Sequence, residues 1–219
     1  MASPPFDAVL FDLGGVLIRL GGVNPMQRLS GIASEAEVWR RWLASPWVRQ
    51  FERGRCDARD FAAGLVAEWG LNIRPEEFLE KFESWPQGLF DGASELVADV
   101  RAVVPVGCLS NTNALHWAAW NAWGLGDMFD SRFLSFEVGY IKPDRQMFDH
   151  VSSALGLPPG HILFLDDNII NVSAAAEAGL VARKVRGVQE ARGTLAALGV
   201  PAAPTRAPGW GTSPAARHA

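Results

Sequence analysis

Short apolar runs that stop abruptly at polar or glycine-rich residues recur along this chain, and they constrain its fold more than any other feature. Ala8 to Leu13, Val104 to Leu109, Arg132 to Phe136, His161 to Leu165 and Leu180 to Val185 each have the length and apolar continuity of a strand buried on both faces. Between and after them, Ala93 to Val103, Ala114 to Trp123, Asp144 to Leu155 and Asn171 to Ala178 carry helical patterns. Strands alternating with helices predict an α/β fold, a doubly wound parallel sheet covered on both sides.

The alternation fails between Ile18 and Gly88. Glu35 to Leu43, Ala58 to Glu68 and Pro75 to Trp85 are predicted helices with no strand run between them, which makes this stretch a helical insertion after the first strand. Pro75 followed by Glu76 and Glu77 suits a helix start, and Asp57 suits a cap. The expected division is a core of residues 1–18 and 88–198, an inserted helical unit of 19–87, and a tail of 199–219. That tail holds Pro201, Pro204, Pro208 and Pro214 without apolar periodicity and is predicted to be disordered.

With 219 residues, of which 48% are hydrophobic and 20% charged, the chain can form one α/β domain and a small insertion but hardly two full domains. A net charge of -4 supplies no basic face for nucleic acid, so an anionic ligand must be held by local groups. Cys56 and Cys108 form neither a CxxC pair nor a Cys/His cluster, which argues against a disulfide framework or zinc site. The first residues lack a charged segment followed by a long apolar run, and no apolar stretch is long enough to span a bilayer; a cytoplasmic protein is expected. Trp39, Trp42, Trp117, Trp120 and Trp123 recur at roughly helical spacing, as helix packing requires and, less readily, as a substrate-stacking surface would.

Ligands of open α/β sheets bind beyond the carboxyl ends of the strands. The first run ends in Asp12-Leu13-Gly14-Gly15-Val16, a carboxylate followed by glycines that let backbone approach a ligand; alone it is equally a turn. The second ends in Ser110-Asn111-Thr112-Asn113, whose hydroxyls and amides can serve a phosphoryl group or cap a helix. Lys142-Pro143 offers a lysine that alone is an ordinary surface charge. The fourth, Leu165-Asp166-Asp167-Asn168, sets two carboxylates side by side after an apolar strand, where their repulsion calls for donors or a cation. Magnesium, which takes one or two protein carboxylates and bridges to substrate phosphate, suits this pair together with Asp12.

In order and spacing, Asp12-Leu13-Gly14-Gly15-Val16, Ser110-Asn111-Thr112, Lys142-Pro143 and Asp166-Asp167 resemble the four motifs of the haloacid dehalogenase superfamily, over residues 6 to 190. Leu109 to Asn113 with His116, and Phe164 to Asn168 with Asn171, are most similar to α-D-glucose-1-phosphate phosphatases within it. The resemblance implies a Rossmann-like core, a small cap after the first motif, and a magnesium-dependent phosphatase acting on a small phosphorylated metabolite. It implies that Asp12 is the nucleophile and a metal ligand, with the Gly14 carbonyl, Asp167 and Asp166 completing or positioning the metal site. Ser110 and Lys142 are implied to act on the phosphoryl group, with Gly14, Gly15, Asn111 and Thr112 as phosphate-loop contacts.

One departure stands out. Most phosphatases of the superfamily carry an acid/base aspartate two positions after the nucleophile, and here that position is Gly14. The gap predicts a preference for leaving groups that need little protonation, such as sugar 1-phosphates. It also keeps open a 2-haloacid dehalogenase, which uses no metal, and a weakly active phosphate-binding pseudoenzyme. His116 is a candidate replacement, though helix packing accounts for it more readily. Arg49, Phe51, Glu52 and Arg53 could reach a substrate, but a solvated helix end explains them more readily and they are not counted as site residues.

Overall fold

A computed structural model describes residues 5–21 and 24–201. From the N-terminus, β1 (Ala8–Phe11) and β2 (Ile18–Leu20) precede five helices: α1 (Asn24–Ser30), α2 (Glu35–Ala44), α3 (Pro46–Glu52), α4 (Ala58–Trp69) and α5 (Pro75–Glu83). Then come β3 (Pro86–Leu89), α6 (Ala93–Arg101), β4 (Val106–Ser110), α7 (Ala114–Ala122), β5 (Ser131–Leu134), the single turn α8 (Ser135–Val138) and α9 (Arg145–Leu155). The described chain finishes with β6 (Ile162–Asp166), α10 (Ile169–Glu177), β7 (Val181–Lys184) and α11 (Gly187–Ala197).

Five strands form a parallel sheet in the order β5-β4-β1-β6-β7. The chain winds outward from β1 first to one side and then to the other, so the strand order reverses at β1. Side-chain alternation explains why both faces are covered. Val9, Phe11, Leu163 and Leu165 point into one core with α6 and α11, while Leu10, Ile162 and Phe164 point into the other with α9 and α10. The doubly wound sheet anticipated from the alternating runs is therefore present.

The five helices between β2 and β3 enclose a third apolar cluster, rich in rings. Phe51 and Phe61 stack at 4.3 Å, and Trp42 lies within 6.5 Å of Phe61, Trp69, Phe82 and Trp85. Asp57 caps α4 by accepting from the Asp60 N–H at 2.8 Å, and Pro75 opens α5. Of the tryptophans singled out by spacing, Trp42 and Trp120 are buried whereas Trp123 is 40% exposed.

Local pattern missed several features, α1 and α11 among them. β2 and β3 pair antiparallel beside the helical unit, although Pro86 and Gly88 discourage a strand reading. α3 is a separate helix, set off by Ser45, whose buried hydroxyl accepts from Val48 N–H, and by Pro46 in its first turn. The predicted strand ending at Phe136 stops at Leu134, because Ser135 begins α8 and bonds Thr112. Val200 is fully buried against the first cluster, and residues 202–219 of the expected tail lie outside the described residues. No helix among the described residues is long and apolar enough to cross a membrane.

Phe164 joins fold to site: it is fully buried, 6.2 Å from the Phe148 ring, and lies 5.2 Å beneath the Lys142 ammonium. Phe164→Ala is expected to cost about 3 to 5 kcal/mol of stability, measured by urea denaturation; a loss below about 1 kcal/mol would show that the core closes around the vacancy.

Candidate active site

The carboxyl ends of β1, β4 and β6 meet at the reversal of strand order, and each delivers a polar residue there. Asp12 follows β1, its N–H donating to the Leu165 carbonyl at 2.8 Å, so its position is locked to β6. Ser110 closes β4 and Asp166 closes β6, both essentially without exposure. A cavity of about 200 Å³ opens above them. Its floor includes Asp12, Gly14, Gly15, Ser110, Asn111, Thr112, Lys142 and Asp167, and its roof includes Met26, Val38, Trp39, Trp42, Glu52, Phe82 and Trp85.

Lys142 is the hub. Its ammonium lies 3.0 Å from Asp12 Oδ1 and donates to Asp166 Oδ2 at 2.7 Å and to the Leu109 carbonyl at 2.9 Å. Burial alone would lower its pKa, but the charges of Asp12 and Asp166 hold it above the ordinary lysine value, so it remains an ammonium. Asn111 fixes the lysine from behind, accepting from the Lys142 N–H and donating to the Lys142 carbonyl, each at 2.8 Å.

The carboxylates differ in what surrounds them. Asp166 also accepts from the Asn168 N–H at 2.7 Å and from Asn171 Nδ2 at 3.1 Å, so its lone pairs are occupied. Asp167 has no such donor among the described residues, and burial, then Asp12 and Asp166, push it up to about 7. Burial likewise raises Asp12 to about 6, against the pull of Lys142. Carboxylate oxygens of Asp12, Asp166 and Asp167 lie within 4.8 Å of one another. One lysine does not neutralise three carboxylates, and hard oxygen donors clustered around uncompensated charge fit a divalent cation of the magnesium type.

Two residues expected at the phosphate play other parts. The Asn111 side chain is committed to the Lys142 backbone, leaving only its main chain for a ligand. Gly15 donates its N–H to the Ile18 carbonyl and accepts from the Gly187 N–H, so its backbone is engaged within the protein. Its φ of 74° and missing Cβ serve Asp167, since a Cβ there would fall 2.3 Å from Asp167 Oδ2. Thr112 fits better: its N–H and carbonyl both bond Ser135 Oγ, while its own Oγ1 is buried with no hydrogen-bond partner among the described residues, in the cavity wall.

His116 does not replace an acid at position 14. Its Nε2 bonds the Phe82 carbonyl at 2.9 Å, its Nδ1 faces Asn113 Nδ2 at 3.4 Å, and the ring stacks on Phe82 and Trp120. Burial, partly offset by the Phe82 bond, lowers its pKa to about 4, so it is a neutral joint between α7 and α5. The solvated helix end expected at Arg49 to Arg53 is also corrected. Phe51 is buried, Arg49 and Arg53 both pair with Asp144, and Glu52 lines the cavity with its pKa raised by burial to about 7.

A sequence model of the haloacid dehalogenase-like hydrolases matches residues 6–179. The chain belongs to that family. This hydrolase is 24% identical over 180 residues to a D-ribitol-5-phosphate phosphatase of Bacteroides thetaiotaomicron, covering 78% of this chain and 87% of that protein. It is 27% identical over 190 residues to the sesquiterpene phosphatase astK of Aspergillus oryzae, covering 80% and 88%. In fold it resembles a family enzyme from B. thetaiotaomicron crystallised with magnesium and inorganic phosphate (TM-score 0.63, 24% identity, 83% and 94% covered). The L-2-haloacid dehalogenase of Xanthobacter autotrophicus shares the fold as well (TM-score 0.59, 22% identity, 90% and 84% covered).

The carboxylate cluster of this hydrolase makes a signed prediction. Asp12 and Asp167 titrate above their ordinary value of 3.8, so the cation-free fold gains stability from their protons at low pH and loses it as pH rises through about 6 to 7. A bound cation offsets that loss only where the protons have left. The rise in melting temperature on adding a divalent cation to chelator-treated protein should therefore be larger at about pH 8 than at about pH 5.5. Equal rises at both would show that these carboxylates do not hold the ion.

Proposed function

We propose that this hydrolase is a magnesium-dependent phosphatase that cleaves a small phosphomonoester through a phosphoryl group carried on Asp12. The observation that carries the reading is the Asp12, Asp166 and Asp167 cluster around the Lys142 ammonium, a negative surplus that carbon–halogen cleavage gives no reason to assemble. In the first half of the reaction an Asp12 carboxylate oxygen forms a bond to phosphorus and the ester oxygen departs. In the second, water attacks phosphorus, the bond to Asp12 breaks, and inorganic phosphate leaves.

Each residue has a physical task in that scheme. Lys142 keeps one Asp12 oxygen oriented and balances charge on the transferring group. Ser110 and the unpartnered Thr112 hydroxyl supply donors to phosphoryl oxygens beside the main chain of Asn111. Asp166, saturated with donors, positions Lys142 and the adjoining loop. Asp12, Asp167 and the Gly14 carbonyl would hold magnesium, which neutralises phosphoryl charge and orients the ester.

The organic part of the substrate then lies against Met26, Trp39, Trp42, Phe82 and Trp85. Flat apolar walls suit a ring, and a sugar 1-phosphate offers one apolar ring face to such a wall. Phosphate release from a panel of sugar, nucleotide, aryl and acyl phosphates tests the reading. Release is expected to require magnesium and to fall at least about 10³-fold in Asp12→Asn. Activity that survives chelation or the Asp12 substitution would overturn it.

A further inference from the structure

An ester oxygen that departs as an alkoxide needs a proton, and the titratable groups around the chamber can be taken one by one. Asp12 is the nucleophile of the reading above, and Asp167 faces the cation. The Lys142 ammonium is already bonded to Asp12, Asp166 and the Leu109 carbonyl. Both His116 nitrogens face partners in the protein. Position 14, two residues past the nucleophile, has no side chain, and Leu20 Cδ1 stands 2.6 Å from where a Cβ would be. Among the described residues lining the chamber, what is left is Glu52.

Glu52 ends α3 and lines the chamber that Asp12 and Lys142 line from below, close enough for both charges to act on it. The Trp42 side chain lines the same chamber and favours its charged form. Its flanking arginines offset its burial only in part, because Arg49 and Arg53 are both held by Asp144, Arg49 at 2.6 Å. That clamp ties the C-terminal end of α3 to the segment just past Lys142. Gly54 tightens it, packing so near the Phe136 carbonyl that a Cβ would come within 2.7 Å of the oxygen. Tethered at two points, α3 holds one carboxyl group over the strand ends.

Building on the phosphatase reading, we propose that Glu52 is the general acid and base of the reaction, supplied from the helical unit because position 14 cannot supply it. As the bond from Asp12 to phosphorus forms, the proton on Glu52 passes to the departing ester oxygen, releasing an alcohol and leaving a carboxylate. That carboxylate then takes a proton from the attacking water as the bond to Asp12 breaks, which restores both groups. Burial, opposed by Trp42, Lys142 and Arg49, holds Glu52 at about 7, where the two protonation states it needs are both populated near neutral pH. The restriction to leaving groups that need little protonation, expected from Gly14 alone, is lifted.

Glu52→Gln keeps the size of the side chain but cannot exchange the proton. With magnesium present, kcat/KM is compared for p-nitrophenyl phosphate, whose leaving phenolate needs little protonation, and for 2-phenylethyl phosphate, whose alkoxide needs it. The variant is expected to lose about 10² to 10⁴-fold on the alkyl ester and under about tenfold on the nitrophenyl ester. In Glu52→Ala, added formate should restore part of the alkyl-ester rate. Equal losses on both esters, or no loss on the alkyl ester, would overturn the role of Glu52 while Asp12-dependent turnover by the unsubstituted enzyme leaves the phosphatase reading standing. If the unsubstituted enzyme turns over neither ester, or Asp12→Asn matches it, both fall.

Discussion

The Lys142 ammonium is the point on which the rest of the site hangs. A charge removed from water is tolerated only where opposite charges and acceptors surround it, and here Asp12, Asp166 and the Leu109 carbonyl do so within 3.0 Å. Those partners follow or belong to three neighbouring strands, so satisfying one lysine aligns the ends of β1, β4 and β6. Deleting one partner of such a group leaves a buried charge uncompensated, which in comparable sites costs about 3 to 5 kcal/mol. The arrangement is thus self-enforcing: the sheet register that brings the strand ends level is also the register that neutralises the lysine.

What the lysine leaves unneutralised defines the ligand side. Asp166 is saturated by Lys142, Asn168 and Asn171, whereas Asp167 receives no donor among the described residues and is pushed up by burial and by its neighbours. Two adjacent residues of one type therefore divide into an inward structural carboxylate and an outward one that holds charge in reserve. Gly15 makes the division possible, since any side chain there would collide with Asp167. Asn111, whose amide seemed suited to an anion, is needed behind the lysine, whereas the Thr112 hydroxyl has no partner among the described residues.

The strand-end chemistry was legible because it is local. Each run of apolar residues ends where its strand ends, so Asp12, Ser110 and Asp166 could be assigned to one edge of a sheet before any contact was known. Lys142 was legible only by resemblance, since its burial depends on residues from three other segments. The helical unit behaved differently. Its α2, α4 and α5 followed from caps and periodicity, but α1 and α3 did not, and nothing near Glu52 in sequence distinguishes it from a solvated helix end. Its setting comes from Arg49 and Arg53 reaching Asp144, 95 and 91 residues away. β2 and β3 escaped for the same reason, as Pro86 and Gly88 pair through distant contacts that local propensity opposes.

That division of labour has a chemical consequence. The proposed nucleophile and the carboxylates at positions 166 and 167 stand at strand ends, where register fixes them to each other, and Lys142 reaches them from the loop before α9. The proposed acid sits on an inserted helix whose C-terminal end is tied to the core through Asp144 and the Gly54 approach to Phe136. The same roof carries the aromatic wall that excludes water, and exclusion strengthens every charge interaction below it. A carboxyl group poised near 7 depends on that dryness, because burial is the largest cause of its raised pKa. Seating the roof would therefore assemble the proton donor and create the environment that keeps it protonated in one event. An aspartate at position 14 would stand on the β1 side with Asp12; Leu20 lies there instead, and the proposed proton transfer is tied to the helical unit that also forms the chamber's aromatic wall.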